Sequence, residues 1–346
     1  MNEIESRKDE HVRIALEKKV SASYNHWDDY SLIHNALPEV NKSSIDLSIE
    51  FLGKQLDAPF LISGMTGGYQ KAKKINENLA VVAETYQLAM GVGSQRAGLE
   101  TERLKNTYSI VKNYDIPLRI GNIGASQLVL WGHEKTVSFV SKMVEMIDAH
   151  AIAVCLNFLQ EVIQFEGEAQ AKGVLEGIHQ LAEAIDIPVI VKESGAGISF
   201  DVADRLRETS ISAIDIGGKG GTSFAAIEHY RAKLHFDRLH ARGGKTFWDW
   251  GIPTPHSLIE VRDAVGDEFP VIASGGIRHG LDAAKALALN ANLVGIAYAL
   301  LKPATKSEKE ALFEIDAIIK ELRTAMFLTG CEDVESMHFL EVDGWI

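Results

Sequence analysis

Eight short apolar runs, separated by amphipathic stretches, constrain this chain more than any other feature. The runs are PFLISGM (59–65), LAMGVGS (88–94), PLRIGNIG (117–124), AIAVCLN (151–157), PVIVKES (188–194), AIDIGG (213–218), PVIASGG (270–276) and LVGIAYALL (293–301). Between them, stretches such as KINENLAVVAETY (74–86), KTVSFVSKMVEMIDAH (135–150), VLEGIHQLAEAI (174–185) and GLDAAKALALN (280–290) repeat apolar residues at three and four, the spacing that paints one stripe on a helix. Continuous apolar strands alternating with such helices imply a parallel sheet covered by helices. Eight strand–helix units are the inventory of an α/β (β/α)8 TIM barrel. A doubly wound open sheet usually has fewer strands and a GxGxxG turn after the first, and GGY at 67–69 is no such turn. The expectation is a TIM barrel over 59–346, preceded by an N-terminal extension over 1–58. The connection 223–255 after strand six is too long for an ordinary turn and reads as a functional loop or lid.

Composition narrows the function classes. A chain of 346 residues that is 46% hydrophobic can bury a large core. Its net charge of −13 supplies no basic field to grip a nucleic-acid backbone. The start, MNEIESRKDEH, is charged from its third residue, and no later run reaches membrane-spanning length, so a cytoplasmic protein without membrane contact is expected. Cys155 and Cys331 stand far apart without CxxC or His spacing, which argues against a disulfide framework or a zinc site.

In a TIM barrel the active site is built at the C-terminal ends of the strands, and each run here ends in chemistry. Met65-Thr66-Gly67-Gly68, Ser94-Gln95-Arg96, Asn122, Asn157 with Gln160 and Glu161, Lys192-Glu193-Ser194, Gly217 through Thr222, Ser274-Gly275-Gly276 and Ala297-Tyr298 come in order. GGKGGT (217–222) and ASGGIR (273–278) follow strands six and seven. Either turn alone is as well explained by tight backbone geometry, but two in succession at the usual phosphate corner of a barrel favour a phosphate cradle of backbone N–H groups.

Lys192 carries three readings: an amine nucleophile forming a Schiff base, a cation held against an electron-rich cofactor ring, or a lysine paired with a barrel carboxylate. Glu161 is a candidate Mg²⁺ ligand, because one carboxylate suffices when substrate phosphates and water complete the octahedron; its spacing equally suits the start of a helix. SRKDEHVRIALEKK (6–19) reads as a helix with Ser6 as N-cap. That phase sets Arg7 and Lys8 in the first turn against the helix dipole, a cost an anionic ligand would reverse, and puts His11 on the same face.

With RKDEH at 7–11, MTGG at 65–68, GSQR at 93–96, LNFLQE at 156–161, VKESGAGIS at 191–199, GGT at 220–222, WGIPT at 250–254 and SGGIR at 274–278, the chain resembles the type 2 isopentenyl diphosphate isomerases nearly end to end. The resemblance implies an FMN-binding TIM barrel that uses reduced flavin and Mg²⁺ to interconvert isopentenyl and dimethylallyl diphosphate without net redox change. Carried over position by position, it assigns Met65, Thr66, Gly67, Ser94, Asn122, Lys192, Thr222, Gly275, Gly276, Ile277, Ala297 and Tyr298 to FMN. It assigns Arg7, Lys8, His11, Ser94, Gln95, Arg96, Asn157 and Gln160 to substrate, and Glu161 to Mg²⁺. Gln160 and Glu228 are the implied relay or positioning groups, the latter with Arg231 in IEHYR. NADPH is the expected reductant and a homo-oligomer, tetramer or octamer, the expected assembly. Three positions depart from the family: Cys155 replaces its usual His, Gly217 its Ser and Phe224 its Trp. The alternatives are an FMN-dependent oxidoreductase of the 2-hydroxy-acid oxidase type, with His256 or His279 as a base; an aldolase using Lys192; and a barrel that only binds phosphate ligands.

Overall fold

The computed structural model describes residues 3–344; residues 1–2 and 345–346, the ends of the two expected segments, lie outside the described residues. All eight apolar runs form strands. They are β1 (Phe60–Ile62), β2 (Ala89–Gly91), β3 (Leu118–Gly124), β4 (Ala151–Cys155), β5 (Val189–Lys192), β6 (Ala213–Asp215), β7 (Val271–Ser274) and β8 (Leu293–Ile296). They pair in parallel in chain order, and β8 returns to β1, so the barrel is closed. Alternation of side chains along each strand divides them between the barrel interior and the helical layer. Leu61, Ala89, Leu118, Ile120, Ala151, Ala153, Ile190, Ala213, Ile272 and Leu293 fill the interior as one apolar cluster. An antiparallel hairpin, Ile49–Phe51 with Lys54–Leu56, adds Phe51 and Leu56 to that cluster and plugs the end opposite the site.

The N-terminal segment packs into the same core as the barrel's outer layer: Ile14, Val20, Trp27, Ile45 and Leu47 are all buried within it. Its helix α1 runs Glu3–Glu17, so Ser6 lies inside the helix and is not its N-cap. The first turn carries Glu3 and Glu5, which suit the dipole, and Arg7 and Lys8 come after it. Glu5 is buried and held by Arg103, which anchors this end of the helix to the barrel.

The connection after β6 is helical over much of its length. Helix α2 (Phe158–Ile163) follows β4, whereas α3 (Phe224–Leu234) and α4 (Arg238–Thr246) follow β6. Ser223 caps α3 by accepting from Ala226 N, and Asp237 caps α4 by accepting from Leu239 N and His240 N. The Gly243-Gly244 pair lies inside α4. A Cβ on Gly244 would meet Ala225 O at 2.6 Å and His229 Cβ at 2.8 Å, so glycine lets α4 pack directly on α3.

Candidate active site

The C-terminal ends of the strands open into a cavity of about 830 Å³, bordered also by α1 and the strap 19–25. One wall is made of glycine turns. A Cβ on Gly275, at φ +115°, would stand 2.2 Å from Gly218 O, and one on Gly276 would stand 2.7 Å from the Gly220 carbonyl carbon. The turns after β6 and β7 therefore touch backbone to backbone. The N-terminal strap secures them from behind: Trp27 Nε1 donates to Gly275 O at 3.0 Å and Asn25 Nδ2 to Gly276 O at 2.7 Å. Ser21 bridges Thr222, and Trp248 Nε1 donates to Ser21 O at 3.0 Å.

The floor is the uppermost layer of inward-facing residues. Here the interior turns polar, with Ser63, Asn122, Cys155, Lys192 and Ser274 all reaching the cavity. Lys192 Nζ donates to Glu193 O at 2.7 Å. Burial pulls its ammonium pKa down, but Cys155, Asp215 and Glu193 outweigh that and set it above the usual value. Burial raises the Cys155 thiol, so it is neutral near pH 7, and Asp215 is the carboxylate that bears on Lys192 from the neighbouring strand. Burial likewise pushes the Glu193 carboxyl up to about 7, against hydrogen bonds from Ala196 N and Ser194 N.

The opposite rim is cationic. Arg7, Lys8, His11 and Arg96 line it, with Asn157, Gln160, Glu161 and Glu168 beside them. Lys8 Nζ donates to Ser94 O at 2.9 Å, and burial, with the charge of Arg7, lowers its pKa to about 7. Arg96 is held by Glu100 at 2.8 Å and by both oxygens of Glu168. Glu161 accepts from Asn157 Nδ2 at 2.8 Å, Gln164 Nε2 at 2.6 Å and Glu168 N at 2.8 Å, which fixes its carboxylate at the start of α2.

The structure brings to this cavity all of the expected site residues except two. Gln95 is fully buried in the barrel wall, its Nε2 donating to Met143 O and its Oε1 accepting from Asn122 N. The amide thus supports Asn122 from behind. Glu228 is 1% exposed and lies behind His11, whose Nε2 is 2.7 Å from Glu228 Oε1, off the line of a good hydrogen bond. Burial pushes the Glu228 carboxyl up, yet His11 and Arg231 prevail and its pKa ends below the usual value. Arg231 also binds Glu10 at 2.9 Å and Glu166, tying α1, α3 and the loop after α2 together. Sequence reasoning left Asn25, Trp27, Glu168 and Asp215 without roles. Asp215 ends an apolar run as Lys192 does, a usable signal; nothing local marks Asn25 and Trp27 as partners of glycines some 250 positions away.

The residues present fit FMN: a cavity of suitable size, a glycine corner that any side chain would obstruct, and a charged lysine on the floor. They fit Mg²⁺ only as a ligand set completed from outside, because among the described residues no cluster of three His, Cys, Asp or Glu could hold an ion.

Comparison with known proteins supports the flavin. Residues 142–341 match the family described as FMN-dependent dehydrogenase, and the fold is that of a mandelate oxidase with (S)-2-phenylpropionate (TM-score 0.67, 15% identity, 99% of this chain and 98% of that one). It is equally that of a flavocytochrome b2 variant with sulfite bound (TM-score 0.68, 15% identity, 94% and 81%); at these identities the likeness is one of fold. The protein is thus a barrel of the FMN-dependent dehydrogenase class. The isopentenyl-diphosphate delta-isomerases of Thermoplasma volcanium, Archaeoglobus fulgidus and Methanosarcina mazei are 48%, 44% and 42% identical to it, over 97%, 97% and 100% of this chain and 95%, 94% and 94% of theirs. Within the class, the chain belongs to the type 2 isopentenyl-diphosphate delta-isomerase family.

Proposed function

We propose that the protein interconverts isopentenyl and dimethylallyl diphosphate, with reduced FMN and Mg²⁺ in the described cavity. The observation that carries this reading is that a glycine corner suited to a cofactor phosphate and a cationic rim suited to a diphosphate border one space. FMN is assigned to Met65, Thr66, Gly67, Ser94, Asn122, Lys192, Thr222, Gly275, Gly276, Ile277, Ala297 and Tyr298. Bound in reduced form, it supplies an electron-rich ring able to carry a proton and to stabilise an adjacent cation. Arg7, Lys8 and Arg96 neutralise the diphosphate, and Glu161 shares Mg²⁺ with its oxygens. Asn157 and Gln160 reach the cavity and orient the substrate. Gln160 holds or passes the proton as one alkene carbon gains it and an allylic neighbour loses it, while Glu228 acts through His11, keeping that ring in place. On this reading residues 1–58 are a substrate-binding extension of the barrel 59–346. NADPH is the reductant, the setting is isoprene biosynthesis in the cytoplasm, and the assembly is a homo-oligomer.

The oxidase alternative draws no support from the site: His256 stacks near His26 and Tyr30, His279 caps a helix, and neither lines the cavity. The raised pKa of Lys192 disfavours it as a nucleophile. Anaerobic, FMN-reduced protein with Mg²⁺ should convert isopentenyl diphosphate and reverse the reaction. Equal turnover with oxidised flavin, or none on reduction, would overturn the proposal, and flavin reduction by a 2-hydroxy acid would support the oxidase.

A further inference from the structure

Asp215 has no place in the roles assigned so far, yet it is 1% exposed in the interior of a barrel whose neighbouring layer is aliphatic. Burying a carboxylate there is costly unless it is paired and hydrogen-bonded. Its strand register gives the partner. Lys192 at the end of β5 is the direct cross-strand neighbour of Asp215 on β6 and of Cys155 on β4. Direct neighbours in a parallel pair project to the same face, here the interior. Both Lys192 and Asp215 line a small cavity of about 20 Å³ that shares Ser63, Asn122 and Lys192 with the main one. Burial pushes the Asp215 carboxyl above its usual value, and the charge of Lys192, the Ser274 Oγ that donates to Asp215 Oδ1 and the Gly217 N–H oppose that shift and favour the carboxylate.

We infer that Asp215 is a positioning residue that keeps Lys192 an ammonium on the floor of the flavin cavity, so that a fixed positive charge faces the cofactor across the working pH range. This rests on the reading that FMN lies over Lys192. The groups facing Lys192 are Cys155 from β4, Asp215 from β6 and Glu193 from the turn after its own strand, with Ser63, Asn122 and Ser274 as neutral neighbours. The thiol is neutral near pH 7, its pKa raised by burial. Glu193 directs its carboxylate to the N–H groups of Ser194 and Ala196, both at 2.6 Å, and so serves its own turn. Asp215 is the anion left to hold the lysine. Without it, a fully buried lysine titrates well below its usual value, within the neutral range.

The test is the midpoint potential of bound FMN, measured by dye equilibration on the holoenzyme from pH 6 to 10.5, for the parent and for Asp215→Asn, Lys192→Met and the double variant. Asp215→Asn should show a bend between about pH 6 and 9, the potential falling as the ammonium is lost. That bend should be absent from the parent and from both variants lacking Lys192, and Asp215→Glu should restore the parent line. Ser274→Ala removes one donor to Asp215 and should show a weaker bend at higher pH. A line for Asp215→Asn parallel to the parent, with Lys192→Met displaced, would overturn the inference. If Asp215→Asn fails to fold, an unbent line for Ser274→Ala overturns it. Lys192→Met coinciding with the parent at every pH would instead show that the flavin does not lie over Lys192.

Discussion

Lys8 offers a quantitative check on the cationic rim. Its ammonium is buried beside Arg7, donates to the Ser94 carbonyl and lies 5.9 Å from the Tyr108 ring, and its pKa falls to about 7. At pH 8, about nine in ten empty sites therefore carry a neutral amine. A diphosphate favours the charged form, so binding must first protonate the lysine. The sign follows: ligand affinity is highest below the pKa of the empty site and declines above it, with a limiting slope of about tenfold per pH unit until the pKa of the occupied site is reached. Proton uptake attributable to Lys8 should approach about 0.9 per site at pH 8. Calorimetric titration of the oxidised holoenzyme with isopentenyl diphosphate at saturating Mg²⁺ measures both quantities without turnover, using buffers of different ionisation enthalpy. The ligand's own titration is common to all variants and cancels on subtraction. Lys8→Met should lose the extra uptake along with affinity, and Lys8→Arg should lose the uptake because its charge is permanent. Equal proton uptake by the parent and Lys8→Arg at pH 8 would refute the argument.

Two substitutions separate cofactor from metal. Gly275→Ala forces a Cβ into the Gly218 carbonyl at φ +115°, so a strain of about 2–4 kcal/mol should weaken FMN binding by at least about tenfold, read as flavin content and flavin release on dilution. An unchanged flavin affinity would mean the two turns can part without cost. Glu161→Gln keeps the length of the side chain but removes its charge, and should raise the Mg²⁺ concentration for half-maximal activity by about tenfold or more while flavin content stays near that of the parent. Loss of FMN in this variant would reassign the residue.

The barrel was legible because its strands are buried on both faces and so read as uninterrupted apolar runs. Their C-terminal residues followed, since the topology fixes which end carries the chemistry. Gln95 shows where that logic stops. Its position in GSQR matches a binding motif, but an inward amide and an outward amide look alike in sequence, and here Met143 O and Asn122 N claim it. The phase of α1 was misread because Ser6 looks like a cap, whereas Glu3 and Glu5 extend the helix by a turn with favourable dipole charges. The stretch after β6 read as a functional loop or lid because of its length, and its helices α3 and α4 were not anticipated. Only the contact of α4 with Ala225 and His229 reveals why that helix needs Gly244. Contacts between distant segments, such as Trp27 with Gly275, leave no periodic trace.

That last contact bears on the order of assembly. During synthesis Trp27 and Asn25 emerge early, and the carbonyls they bind belong to the turn after β7, about 250 residues later. The strap must therefore wait, unpaired, until nearly the whole barrel has been made, and closing so long a span is a late and entropically demanding step. Until the strap docks, the glycine corner lacks the support of Asn25 and Trp27, so it is completed only when these distant segments meet.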